Sequence, residues 1–120
     1  MEFRNNIPAF YAETRAQWRE WLIDYCQSEK SIWLIIYHKK STTHSVTYAQ
    51  AVEEALCFGW IDCRANKRDG ESYYLCFTHR KPKSNWSKPN IERVARMIDE
   101  GLMTQHGQKL IDFAKSRGKF

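Results

Sequence analysis

The distribution of hydrophobic and polar positions predicts a helix early in the chain. Thr14 and Gln17 form a capping-box pattern, which indicates a helix from about residue 15 to residue 27. The large apolar residues that follow fall on one helical face: Trp18, Trp21, Leu22 and Tyr25. We expect this aromatic stripe to pack into the core, with a lipid-facing or partner-facing patch as the alternative. The preceding segment 9–11 is expected to be extended.

A strand, a helix and a second strand are predicted next. Residues 32–37 form an uninterrupted apolar run, which is typical of a strand covered on both faces. Thr47 and Gln50 form a second capping box, and the apolar stripe that follows ends at Phe58. Gly59 suits the left-handed position after a helix, and Trp60 then begins a strand. If the two strands are parallel in one sheet, this unit is a right-handed crossover.

A hairpin is the next predicted feature. Asp69-Gly70 is the strongest turn signal in the chain, because this dipeptide favours a two-residue hairpin turn. Such a turn fixes the register of the two strands. It places Asp62 opposite Phe77, Cys63 opposite Cys76 and Arg64 opposite Leu75.

Two more helices complete the predicted fold. Ser87 is the expected N-cap of the first, with Pro89 in its opening turn and Gly101 at its end. Its expected buried stripe is Ile91, Val94, Ala95 and Ile98. Thr104 begins the last helix and Gly118 ends it. The predicted fold class is α+β, a small mixed sheet of about three or four strands, with a βαβ crossover and a hairpin, packed by about four helices.

Composition limits the chain to one folded domain. Its 120 residues are 42% hydrophobic and 14% aromatic, which excludes intrinsic disorder. No apolar run approaches the ~20 residues that span a bilayer, and the N-terminal segment lacks the apolar region of a secretory signal. We therefore expect a cytoplasmic protein. Because the four cysteines form no C-x-x-C pair, we expect reduced thiols, no metal site and no cofactor.

The segment from Arg80 to Asn90 is the main candidate for function. It contains four basic residues and no acid, with hydroxyl and amide donors and one flat aromatic ring among them. With the neighbouring Thr78, the candidate ligand-binding residues here are Arg80, Lys81, Lys83, Ser84, Asn85, Trp86, Ser87, Lys88 and Asn90. Such groups recognise phosphate or carboxylate, and we expect the basic side chains to be exposed. The alternative is a purely structural loop, with helix-capping residues, solvated lysines and Trp86 as a core residue.

Asp62 and Arg64 are the remaining candidate ligand-binding residues. Asp62 follows the apolar pair 60–61 and requires a base or an N–H donor as its partner, because a buried unpaired carboxylate is costly. A structural salt bridge or cap is the alternative to a ligand-facing role. No residue is assigned as catalytic, because the four histidines and the hydroxyl side chains fall in no recognisable nucleophile motif.

Several sequence blocks carry a family resemblance. The blocks TYAQAVEEALCFGWID, FTHRKPKSNWSK and RVARMIDEGLMTQHG resemble the bacterial YdeI/OmpD-associated family, also described as bacteriocin-protection proteins. The upstream FYAETRAQWREWL and SIWLIIYHKK fit the same pattern, so the resemblance covers nearly the whole chain. It implies protection against membrane-active peptides and a link to a porin, but no known reaction. This chain departs from the family at His79, where members often have proline, and it stops at Phe120, where many continue into a basic helical tail.

Two classes of function follow from these observations. The first is a non-enzymatic binding protein of a stress or antimicrobial-peptide response, with a small anionic ligand or a protein partner at the basic loop. The second is a nucleic-acid-binding module, in which Trp86, Tyr73 and Tyr74 stack bases between basic residues. The net charge of +5 is a mild preference for anionic partners. An uncharacterised enzyme is a further alternative.

Overall fold

Residues 2–120, described here in a computed structural model, form four helices packed against a five-stranded mixed sheet. This is the predicted α+β class, with five strands where three or four were expected. The segment 9–11, which was expected to be extended, lies in one of these strands, whereas the two-residue strand at the N-terminus was not predicted. In chain order the elements are β1 (Phe3–Arg4), β2 (Ile7–Tyr11), α1 (Arg15–Tyr25), β3 (Ser31–Tyr37), α2 (Tyr48–Cys57), β4 (Trp60–Lys67), β5 (Ser72–His79), α3 (Lys88–Asp99) and α4 (Gln105–Ser116).

The strand order in the sheet is β1-β2-β3-β5-β4. Strands β2 and β3 are parallel neighbours joined by α1. Strands β3 and β4 both pair antiparallel with β5, which lies between them, so β3 and β4 run in the same direction. The predicted crossover therefore exists as two parallel strands joined by α2, but a third strand is inserted between them.

The helix boundaries follow the predicted caps. The hydroxyls of Thr14, Thr47 and Ser87 each accept a hydrogen bond from the backbone N–H three residues later. Gly59 adopts the left-handed conformation at φ 78°, and an added Cβ there would lie 3.0 Å from the His106 carbonyl oxygen. These local signals fix where α1, α2 and α3 begin and where α2 gives way to β4.

The predicted hairpin forms, but its register is only partly correct. Asp62 lies opposite Phe77 as predicted, whereas a bulge at Cys63 places Arg64 opposite Cys76 rather than Leu75. The predicted pairing of Cys63 with Cys76 is therefore wrong, although the Cys63 thiol donates to the Cys76 carbonyl at 3.5 Å. The turn is also longer than predicted, because the Asp69 carboxylate accepts hydrogen bonds from the N–H groups of residues 71 and 72 at 2.9 and 2.8 Å. The longer loop shifts the register of the two strands by one residue, and the bulge shifts it back, so the predicted pairing of Asp62 with Phe77 is restored.

The main core lies between the helices and one face of the sheet. Trp18, Trp60 and Phe77 are fully buried there. Both indoles are hydrogen-bonded, from Trp18 Nε1 to the Ala51 carbonyl at 3.0 Å and from Trp60 Nε1 to the Cys26 carbonyl at 3.1 Å. A smaller cluster around Trp33 occupies the opposite face of the sheet. The two clusters explain why residues 32–36 are buried on both sides, as the apolar run predicted.

An ion-pair network ties three helices together. Glu54 of α2 accepts hydrogen bonds from Arg15 at 2.6 Å and from Arg19 at 2.8 Å, and both arginines belong to α1. Glu53 bridges Arg15 of α1 and Arg96 of α3. Burial raises the pKa of Glu53, but the hydrogen bonds and charges of Arg96 and Arg15 outweigh burial and hold that pKa below its ordinary value. The network is structural, since it satisfies two buried carboxylates with arginines from neighbouring elements.

Candidate functional site

Arg80 is the central residue of the candidate site, directly after the end of β5. Its backbone N–H donates to the Gly59 carbonyl at 2.8 Å, which fixes the start of the loop beside the α2–β4 junction. The expectation of an exposed arginine is wrong, because Arg80 is only 6% exposed. Its guanidinium carbon lies 3.7 Å from the centroid of the Trp86 ring, so the indole covers one side of the charged group.

The Arg80 guanidinium is buried without an acidic partner. Its Nη2 donates to the Asn85 carbonyl at 2.6 Å, but its Nε has no hydrogen-bond acceptor, and no ion pair involves it within residues 2–120. Burial lowers the pKa of Arg80, and the charge of Asp62 opposes this effect only in part. A buried cation with an unsatisfied donor is energetically costly, so an anion that reaches it is bound favourably.

An open cavity of about 270 Å³ adjoins this arginine. Ser84 lies in its wall, and the Ser84 hydroxyl is the second buried group of the site without a hydrogen-bond partner in the described chain. No carboxylate lines the cavity, whose wall consists of Ile61, Thr78, His79, Arg80, Lys81, Ser84 and Asn85. Two residues that carry unsatisfied donors and one lysine thus line the same small cavity, and donors of these kinds match a phosphate, sulfate or carboxylate group.

A second cavity, of about 240 Å³, shares Arg80 and His79 with the first. Helix α4 contributes His106 and Lys109 to it, and again no acid is present in the wall. These two residues were missed by sequence reasoning, because they follow the basic loop by more than fifteen positions and no local pattern connects them. Gly107 brings them close, since α4 packs so tightly on α2 that a Cβ at this glycine would lie 2.5 Å from the Leu56 carbonyl oxygen.

The remaining predicted site residues are only partly brought together. Thr78 lines the cavity beside Arg80, and the half-buried Asp62 lies on the same sheet face as Phe77. A base or an N–H group was expected as the partner of Asp62. This expectation is wrong, because Asp62 accepts a hydrogen bond from the Tyr48 hydroxyl at 3.0 Å. Arg64 lies on the opposite face of the sheet, 5.2 Å from the centroid of the Trp33 ring, and is therefore not part of this site.

The rest of the loop divides into structural and exposed residues. Ser87 caps α3 by accepting from the Asn90 N–H at 3.3 Å, and the Asn90 side chain accepts from Arg93 at 2.8 Å. Lys83 and Lys88 are exposed and line neither cavity. The loop thus contains the predicted helix cap at Ser87, and its donors without partners, on Arg80 and Ser84, belong to residues that line the cavity.

The three aromatic rings that were candidates for base stacking differ in how far they are covered. Trp86 contacts Arg80 on one side and Phe120 at a ring-centroid distance of 5.1 Å. Tyr74 is buried on the opposite sheet face, and Tyr73 is half-buried beside His38. The contacts with Arg80 and Phe120 therefore restrict the stacking of nucleic-acid bases on Trp86, and burial restricts it on Tyr74.

A larger cavity lies elsewhere, along the loop that joins β3 to α2. It measures about 550 Å³ and is lined by tyrosine, histidine and hydroxyl side chains, among them Tyr48, Tyr73, His38 and His44. None of the buried donors that lack a partner in the described residues belongs to its wall. By volume this cavity is the stronger candidate for a ligand-binding site, but the buried charge without a partner makes Arg80 the stronger candidate for binding an anion.

Comparisons with known proteins identify a family but no characterised relative. No helix within residues 2–120 has the length and apolar character needed to cross a membrane. No curated protein and no solved structure matches the chain. A family model described as "Domain of unknown function (DUF8412)" matches residues 10–110, a range that includes both cavities at Arg80. The chain therefore belongs to the DUF8412 family.

Proposed function

We propose that this protein is a non-enzymatic binding protein whose basic loop holds a small anionic ligand, or the anionic group of a protein partner. The observation that carries the proposal is Arg80, a buried guanidinium with an unsatisfied Nε and no carboxylate partner in residues 2–120. An anion bound at this position supplies the missing acceptor and the missing negative charge.

Three half-buried arginines elsewhere in the fold are paired with carboxylates. Arg15 and Arg19 form ion pairs with Glu54, and Arg68 pairs with Glu2. Arg80 is more deeply buried than any of these and has no such pair. Arg4 also has an Nε without a partner and no ion pair in residues 2–120, but it is only half-buried, whereas Arg80 is 6% exposed. Burial of the Arg80 cation without a carboxylate costs on the order of several kcal/mol in desolvation, which supports a role beyond the fold.

The physiological setting is part of the proposal. The resemblance to YdeI/OmpD-associated proteins supports a role in protection against membrane-active peptides, in which anion binding at the Arg80 loop is the molecular activity. The ligand class is a phosphate, sulfate or carboxylate, because a planar guanidinium with neighbouring hydroxyl and ammonium donors matches these groups.

The experiment is a titration of thermal stability with phosphate, sulfate and citrate at constant ionic strength, with chloride as the reference anion. An anion that binds only the folded state raises the midpoint, and at ten times its Kd it adds about 1.4 kcal/mol to the free energy of unfolding. Ser84→Ala is expected to weaken this response without loss of stability, because the Ser84 hydroxyl has no hydrogen bond to lose.

Lys81→Gln tests the site, and Lys40→Gln is its matched control. Both lysines are exposed, but only Lys81 lines the cavity at Arg80. The two variants have the same net charge, so a selective loss of response in Lys81→Gln separates a site from general attraction to a basic protein. Equal loss in the two variants, or no midpoint shift with any anion, would contradict the proposal.

A further inference from the structure

A groove between β2 and α1 is separate from the anion site and differs from it in chemistry. It comprises two adjoining cavities, each of about 310 Å³, which share the side chains of Phe10, Trp21 and Tyr25. Helix α1 was expected to bury its whole aromatic stripe, but only Trp18 and Leu22 lie fully in the core. The outer part of the stripe remains accessible and forms the wall of this groove.

The aromatic rings of the groove lie close to one another. The ring centroids of Phe10 and Trp21 are 6.3 Å apart, and those of Trp21 and Tyr25 are 5.4 Å apart. Tyr25 is 46% exposed, and Tyr11, at the rim of one cavity, is 40% exposed. Contiguous exposed apolar surface that is rimmed by polar residues is typical of ligand-binding grooves and interaction sites.

Acidic side chains surround these rings. Glu20 and Asp24 line one cavity and Glu29 lines the other. None of the three carboxylates forms an ion pair among the residues described, whereas Glu53 and Glu54 of the neighbouring network are paired with arginines. The chain has 19 lysines and arginines, yet none of them, and no histidine, lines either cavity.

We infer that this groove binds an organic cation of the quaternary alkylammonium class. Aromatic faces attract such a cation through their quadrupoles, and the unpaired carboxylates supply the opposite charge. A hard divalent metal requires a shell of oxygen ligands that aromatic rings cannot provide. A neutral apolar ligand would desolvate the carboxylates without any compensating charge. The inference is independent of the anion site, because the two sites share no lining residue.

The test compares choline with 3,3-dimethylbutan-1-ol, its neutral isostere, by NMR of the tryptophan indole N–H signals. The Trp21 signal is assigned by its loss in Trp21→Phe. Choline is expected to shift this signal with millimolar affinity, and the neutral isostere is expected to bind about tenfold more weakly, because it lacks the charge. Equal binding of the two compounds, or no shift of the Trp21 signal at about 100 mM choline, would overturn the inference.

Variants locate the site on the groove. Tyr25→Leu and Glu29→Gln are each expected to weaken choline binding about two- to fivefold, through loss of a ring face or of a charge. Ile23→Ala is the control, because Ile23 is 59% exposed on the same helix and lines neither cavity. If Ile23→Ala weakens binding as much as the two groove variants do, the cation is not bound in this groove.

The source of the cation is determined by a second comparison. A short peptide that carries trimethyllysine is titrated beside free choline and beside the same peptide with unmodified lysine. Tighter binding of the methylated peptide indicates a modified protein as the source, and equal binding of peptide and choline indicates a free metabolite. Both outcomes support the quaternary alkylammonium class, whereas preference for the unmodified lysine peptide over both methylated ligands contradicts it.

Discussion

Replacement of Arg80 by methionine separates ligand binding from folding at the candidate site. Methionine keeps an unbranched apolar side chain of similar reach beside Trp86, but removes the charge and the unsatisfied Nε. The variant is therefore expected to fold. It is also expected to lose the response to anions, because the charged group that attracts them is absent.

The expected change in stability follows from opposing contributions. Arg80→Met removes a charged hydrogen bond to the Asn85 carbonyl, worth about 1.5–3 kcal/mol, and a cation–π contact with Trp86 worth up to about 2 kcal/mol. It also removes the cost of burying a guanidinium without a counter-ion, which is several kcal/mol. A methionine sulfur against the indole restores about 0.3–1.5 kcal/mol. The free energy of unfolding without anion should thus change by no more than about 1 kcal/mol.

The assay is urea unfolding of both proteins with and without the anion that shifts the midpoint most. At about 100 times its Kd, the anion should add about 2.7 kcal/mol to the native protein and nothing to Arg80→Met. Arg80→Lys serves as the charge control and is expected to retain part of the response, because it keeps the cation but loses the planar fork.

One combination of results would refute this reasoning. If Arg80→Met loses more than about 3 kcal/mol without anion, and the native protein gains nothing from any anion, the guanidinium is a structural element of the loop. The functional surface must then be sought elsewhere, and the groove beside Trp21 is the next candidate.

Three further predictions concern the elements that hold the site in place. Ser87→Ala should cost about 1 kcal/mol in urea unfolding through the lost helix cap, with the anion response unchanged. Gly59→Ala should cost about 2 kcal/mol or more, because of the positive φ and the contact with a carbonyl oxygen, whereas Gly70→Ala meets no neighbour within 4 Å and should be nearly neutral. The pKa of Glu53 is held below its ordinary value in the folded protein, so this group stabilises the fold above its unfolded pKa. That stabilisation should be lost as the pH falls below about 4.5 through the lowered folded pKa, and a stability–pH curve of Glu53→Gln should lack this component.

Local features of the fold were predictable because they depend on short segments. The N-caps at Thr14, Thr47 and Ser87 and the left-handed Gly59 each require only the geometry of one helix end. The predicted pairing of Asp62 with Phe77 is found only because the shifts introduced by the longer loop and by the bulge cancel beyond Cys63. Between the bulge and the turn the same prediction fails by one residue.

Features set by tertiary contacts were not predictable. The stripe of α3 was expected to include Ile98, but Ile98 is 42% exposed and Met97 is buried in its place with Val94. Both faces have helical spacing in the sequence, and only the packing of α3 against α2 selects between them. The insertion of β5 between two parallel strands likewise depends on long-range pairing that no local pattern encodes.

The candidate site shows the same division. The sequence singled out the basic loop and its donors as a candidate site, but it could not show that Arg80 is buried under Trp86. The sequence also could not show that His106 and Lys109 of α4 line the second cavity. The family resemblance and the reduced state of the cysteines stay predictions, although all four cysteines, each within the described chain, are free thiols in this structure.

The most direct test of the central claim is the crystal structure of the protein with selenate, whose anomalous signal locates the anion without ambiguity. The account predicts a selenate in the cavity between β5 and the basic loop. Its oxygen atoms should lie about 2.7–3.2 Å from Arg80 Nε and the Ser84 hydroxyl. An empty cavity at saturating selenate, or anions bound only at exposed lysines such as Lys83 and Lys88, would contradict it.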